Sequence, residues 1–156
     1  MTESFAETLA NRIVQSGIAS AAQISGCSEQ DISEFESRIN RQLPSAYKQF
    51  LRAMGKSSDD VFTDVTIMYP SILELQDEIS LTLKSSEFRL SPSVFAFLLA
   101  DGLFLFFDTA EDENDPKVYR YIETEAKPTE IADTFTEWLT DFVDDSVKIQ
   151  LELEQS

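Results

Sequence analysis

Apolar residues recur every four positions at Phe5, Leu9 and Ile13, and this period predicts an amphipathic helix over residues 2–16. Thr2 or Ser4 would open it, and Gly17 stands where it should end. Ser28 then precedes Asp31 by three positions, the spacing of a capping box, with Asp in the usual Glu place. Behind it Ile32, Phe35 and Ile39 form a second apolar stripe. Pro44 breaks that helix, because a proline lacks the N–H that a helix interior needs. Tyr47, Phe50, Leu51 and Met54 line one face of a third helix, which Gly55 closes.

The period changes in the middle of the chain. Val65, Ile67 and Tyr69 stand at alternate positions, which predicts a half-buried strand. Ser71 and Glu74 form a second capping box, and Ile72, Leu75, Ile79 and Leu83 run down a short helix. "SVFAFLLADGLFLFFD" reads as two strands, about 94–99 and 103–108, turning at Ala100-Asp101-Gly102. Phe and Leu on both faces place this hairpin centrally in a sheet covered on each side. "KVYRYIE" is a further strand, and Ile131, Phe135, Trp138, Leu139 and Phe142 predict a helix over 131–143. The tail at 146–154 alternates Val147, Ile149, Leu151 and Leu153 with polar residues. It reads as a final edge strand, although the same spacing permits a helix. The order of elements predicts one α+β domain over 1–156, a mostly antiparallel central sheet flanked by helices.

Charge adds the first functional constraint. Twelve basic residues against 29 acidic ones give a net charge of −17. Phosphates attract the opposite sign, so nucleic acid and anionic membrane are disfavoured as partners. A basic protein partner is favoured, or a surface that is acidic for solubility alone. A lone cysteine, Cys27, makes no internal disulfide, and the first residues lack the basic and apolar regions of a signal peptide. No run approaches the length of a membrane span. A cytoplasmic domain is the resulting expectation, with oligomeric state open.

Candidate chemistry narrows further. With no histidine in the chain, Ser-His-Asp and Cys-His catalysis and His-bearing zinc sites fall away. Cys27 reads as a small residue near a helix start, where the helix N-terminus would lower its pKa slightly. "GKSS" at Gly55–Ser58 resembles the end of a phosphate-binding loop, but Phe50 occupies the place of its first glycine and the segment closes a helix. The acidic stretch after Asp108 lacks the spacing and turn glycine of an EF-hand, which leaves only weak calcium binding. The expectation is a non-enzyme with no cofactor and no dedicated metal site.

"ISEFESRINRQLPSAYKQFLRAMG" resembles the SUKH superfamily, which includes the yeast Smi/Knr-type cell-wall regulators. Glu36, Leu43, Pro44, Tyr47, Phe50, Leu51 and Gly55 follow that family's opening pattern in order. Asp101-Gly102 resembles its turn between sheet strands, and Asp108 the acid closing the next strand. Val118-Tyr119 is similar to the strand after it, and "IADTFTEWLTDFV" to its closing helix. The likeness spans about residues 24–143, leaving the leading helix 2–16 and the tail outside. It implies a non-catalytic sheet-and-helix domain. It further implies an immunity protein that neutralises a toxin, often a nuclease, or else a regulatory or scaffolding module. Leu43, Tyr47, Phe50 and Leu51 are expected in the core, with Pro44 and Gly55 as punctuation. Glu36 is expected to pair with a base or cap a backbone group.

The candidate docking residues are the acids Asp108, Glu111, Asp112, Glu113 and Asp115, joined by Asp59, Asp60 and Asp64. An exposed ion pair contributes only about 0.2–1 kcal/mol, whereas nanomolar affinity needs about 12 kcal/mol. Charge would therefore steer, and a desolvated aromatic would anchor. Tyr119, Tyr121 and Phe62 are the candidates, with ordinary sheet packing as the alternative for each.

Overall fold

A computed structural model of the chain describes residues 5–18, 24–56, 67, 69, 71–74, 76, 94–100, 103–109, 114–122 and 128–155. Three helices come first: α1 (Phe5–Ser16), α2 (Glu29–Ile39) and α3 (Ser45–Met54). A short helix, α4, begins at 71–74, with residue 76 also helical. Strands β1 (Val94–Ala100), β2 (Leu103–Asp108), β3 (Val118–Ile122) and β4 (Thr129–Ala132) follow, and α5 (Phe135–Gln155) ends the described chain. The strands pair in chain order as an antiparallel meander. This is the expected α+β arrangement.

Local chemistry sets most boundaries. The Ser28 hydroxyl accepts the Asp31 N–H at 3.1 Å, and the Asp31 carboxylate accepts the Ser28 N–H at 3.0 Å, completing the capping box of α2. Asn40 ends α2 in the left-handed conformation (φ 57°), and the Arg41 N–H returns to the Glu36 carbonyl at 3.1 Å. Gly17 ends α1 with φ 85°, a conformation free of strain only for glycine. Gly26 answers a different need. A Cβ there would lie 1.7 Å from the Arg52 carbonyl oxygen, because residues 25–27 run directly against the end of α3. Two hydrogen bonds hold that approach, from the Cys27 N–H to Leu51 O at 2.7 Å and from the Lys56 N–H to Ser25 O at 3.1 Å.

The core is an aromatic cluster around Tyr47, which is fully buried. Its ring lies 5.4 Å from Phe107, 5.5 Å from Phe95 and Phe135, 5.8 Å from Phe50 and 6.3 Å from Phe35. Most of these contacts are tilted or edge-on, the arrangement that the ring quadrupoles favour. The opposite sheet face carries Phe104 and Phe106 of β2 against Tyr121 and Tyr119 of β3, as cross-strand pairs set by the register.

Four expectations need correction. Residues 146–154 belong to α5, one helix of 21 residues, and are not an edge strand. No glycine or proline interrupts 135–155, and the Leu, Glu, Gln and Lys of the tail favour helix over strand. Ile131 lies in β4, 38% exposed, and α5 begins only at Phe135. There Thr134 is the cap, its hydroxyl accepting the Glu137 N–H at 3.0 Å. Among the described strands β1 ends the sheet and only β2 is inside the predicted hairpin's central place, although both are buried on two faces. Of the strand predicted around 65–69, Ile67 is buried outside regular structure and Tyr69 makes an isolated parallel bridge to Lys56, while Val65 lies outside the described residues.

One edge of β1 is closed by a side chain. The Gln76 amide donates to the Ala96 carbonyl at 2.6 Å, and the Ala96 N–H donates to Gln76 Oε1 at 3.3 Å. A glutamine thus mimics one residue of a neighbouring strand and satisfies a backbone pair that would otherwise lie open.

Candidate partner-binding surface

The α2–α3 turn is organised by Glu36. Its Oε2 accepts the Leu43 N–H at 2.7 Å and lies 3.3 Å from Lys48 Nζ. One oxygen thus both caps a backbone group and pairs with a base. Pro44 then stands at the N-cap of α3 and brings no side-chain cap of its own. The Ala46 N–H at that helix end donates instead to the Asn114 carbonyl at 2.9 Å. Of the opening-pattern residues, Leu43, Tyr47, Phe50 and Leu51 are buried, and Pro44 and Gly55 bound α3. Gly55 has an ordinary right-handed φ of −86°. A Cβ on it would meet Leu51 Cα at 2.5 Å.

The Ala46–Asn114 bond brings the acidic stretch against this turn. Arg41 donates to the Thr109 hydroxyl at 3.3 Å, and the Thr136 N–H donates to Asp115 Oδ1 at 2.9 Å. The described ends of the acidic stretch are thus tied to α2–α3 on one side and to the start of α5 on the other. Asp115 serves as a helix cap, an anion placed at the positive end of α5. Asp108 is half-buried at the end of β2. Glu111, Asp112 and Glu113 lie outside the described residues, as do Asp59, Asp60, Asp64, Phe62, Asp101 and Gly102. Tyr121 is 3% exposed and packs 5.1 Å from Phe104, so its ring belongs to the sheet interior. Tyr119 is half-buried and stacked on Phe106 at 5.4 Å.

Between the turn and the acidic stretch lies a polar groove of about 470 Å³, with Arg41, Lys48 and Arg52 along it and Thr109 and Asn114 opposite. Its cations are committed: Lys48 to Glu36, Arg52 to Glu29 at 2.5 Å, and Arg41 to Thr109. Among the described residues its lining is Arg41, Lys48, Arg52, Ser45, Thr109 and Asn114 with neutral neighbours, a set suited to positioning and hydrogen bonding. This basic feature has little signal in the sequence. The Lys48/Arg52 spacing of four on one helix was its only local trace.

Cys27 is buried, and burial with the nearby Asp31 charge pushes its thiol up to about 11. That reverses the small lowering expected from the start of α2, because desolvation of the thiolate outweighs the helix end. No helix among the described residues is long and apolar enough to cross a membrane.

The family model for the SMI1 / KNR4 family (SUKH-1) matches residues 26–141. That range begins at Gly26, with its close approach to α3, and ends inside α5. No curated protein gives a match to the chain.

Proposed function

We propose that this chain, which belongs to the SMI1 / KNR4 family (SUKH-1), is a non-catalytic protein-binding domain that neutralises a basic toxin of nuclease type. Family membership supports a binding role at the level of the family. The observation that selects a basic partner is the net charge of −17. A nuclease needs a positive surface to hold phosphates, and an acidic domain is suited to cover it. Long-range attraction would raise the association rate, while a small apolar contact would set the lifetime of the complex.

The test is affinity capture on the purified full chain from its own organism at low salt, followed by a salt gradient. A single basic protein, eluted by salt and losing nuclease activity when mixed with an equimolar amount of this chain, is the expected result. Capture of host regulatory proteins with no neutralised activity would replace this reading with a scaffolding role.

A further inference from the structure

Helix α5 carries an apolar seam that outruns the core. Phe135, Leu139, Phe142, Ser146, Ile149 and Leu153 are spaced alternately four and three residues apart, the heptad spacing that keeps one line of a helix facing a neighbour. Exposure rises along this line. Phe135 and Leu139 are fully buried, Phe142 and Ser146 are half-buried, and Ile149 and Leu153 are 58% and 64% exposed. Ser146 turns its hydroxyl back onto the Phe142 carbonyl at 2.9 Å, so the seam's single polar member satisfies itself. The exposed part also lies beyond residue 141, where the family match stops.

The first half of the seam packs on the sheet: Phe135 lies 5.3 Å from Phe97, and its neighbour Trp138 lies 5.0 Å from the same ring. Further along, α1 supports the helix through the Arg12–Asp144 ion pair. Past that pair Ile149 and Leu153 protrude on an extended helix. Leu151, 45% exposed, lies off this line.

Flanking charge says what kind of surface can cover the seam. Asp145 and Glu152 each directly precede a seam residue and are exposed, the positions that choose a partner in helix pairing. On the other flank stand Val143 and Gln150, neither of them a cation. A second copy packed antiparallel would set acid against acid, and one packed parallel would gain no ion pair.

We infer that the exposed end of α5 is a docking seam for a partner helix whose apolar stripe is flanked by Lys or Arg. This rests on the binding role proposed above and locates it away from the acidic stretch. Ile149 and Leu153 would supply the desolvated contact, and Asp145 and Glu152 the choice of a basic partner.

The experiment uses the full chain and three synthetic helical peptides. One has apolar heptad positions flanked by Lys, one the same positions flanked by Glu, and one is a scrambled form of the Lys peptide. The ordered Lys peptide should bind at least about tenfold tighter than the scrambled one by fluorescence anisotropy, and the Glu peptide more weakly than either. Ile149→Ser with Leu153→Ser should remove that preference while circular dichroism and the melting temperature stay unchanged. Asp145→Lys with Glu152→Lys should shift binding toward the Glu peptide. Equal binding of ordered and scrambled peptides, or indifference to the Ile149/Leu153 change, overturns the inference. So does a dimer in sedimentation that the same change abolishes, since the occupant would then be a second copy. Failure here leaves the toxin test standing, because that test reads neutralisation and not the α5 surface.

Discussion

Glu36 accepts the backbone N–H of Leu43 at 2.7 Å, so a side chain of α2 holds the chain seven residues after it. The Leu43 side chain is buried beside this bond, and Pro44 follows with no N–H to give. Loss of the carboxylate would leave a part-buried donor unmet and release Lys48 from its partner. Glu36→Ala should therefore cost about 1–3 kcal/mol in urea unfolding, and Glu36→Gln less, since an amide oxygen still accepts. If the alanine variant unfolds at the wild-type midpoint, Glu36 does not organise the turn.

Tyr47 gives an opposite expectation. Its hydroxyl is buried and has no hydrogen-bond partner among the described residues, and burial raises its pKa well above the ordinary value. The ring touches Phe35, Phe50, Phe95, Phe97, Phe107 and Phe135, whereas the oxygen gains nothing to offset its desolvation. Tyr47→Phe should be neutral or up to about 1 kcal/mol more stable, and Tyr47→Ala should cost about 3–5 kcal/mol. A clear loss of stability in the phenylalanine variant would mean that the hydroxyl makes a bond the fold requires.

Features written in neighbouring residues were legible from sequence: the Ser28/Asp31 box, the hairpin around 100–103 and the buried faces of α1 and α3. The Thr134/Glu137 pair was equally local and marks the true start of α5. It was obscured because Ile131 stands four residues before Phe135 and extends the helical stripe backwards into β4. The tail failed for a related reason. Val147, Ile149, Leu151 and Leu153 fit period two, but their helix is continuous with one anchored at Phe135, and a helix already nucleated extends cheaply. That Glu36 would pair with a base or cap a backbone group was an expectation from the sequence, whereas its target, the Leu43 N–H, needed the turn geometry. Gly26 and Gln76 answer to partners 26 and 20 positions away, Arg52 and Ala96, and no local pattern encodes such contacts. At the candidate site, the bond between Asp115 and the start of α5 and the burial of Tyr121 depend on packing that no local pattern encodes.

Gln76 closes the edge of β1, and its variants separate donor from acceptor. Gln76→Ala removes both bonds to Ala96 and should cost about 1–2 kcal/mol while speeding hydrogen exchange at the Ala96 amide. Gln76→Glu keeps an acceptor for that N–H but turns a second anionic oxygen toward the Ala96 carbonyl. It should be the less stable of the two at neutral pH and recover relative to Gln76→Ala when acid protonates it. Unchanged exchange at Ala96 in both variants would show that the edge is protected by something else.

Cys27 should make stability fall in alkali. Its folded pKa is raised from 9.0 to about 11, so between those values an unfolded chain releases a proton that the folded chain retains. The raised value means the contribution is complete below pH 9 and disappears as pH rises through 11. That shift corresponds to about 2–3 kcal/mol at most, and screening by solvent makes the contribution smaller. Tyrosines and lysines titrate in the same range, so the wild-type curve alone does not isolate the thiol. Cys27→Ala removes only this proton and keeps a small apolar side chain at the buried position. Urea midpoints from pH 8 to 11 should therefore fall more steeply for the wild type than for the alanine variant. The folded thiol should also react with a disulfide reagent at pH 8 about a thousandfold more slowly than a fully ionised one, apart from any further delay from burial. Parallel midpoint curves would mean that the thiol ionises equally in both states, and the desolvation argument for Cys27 would fall with them.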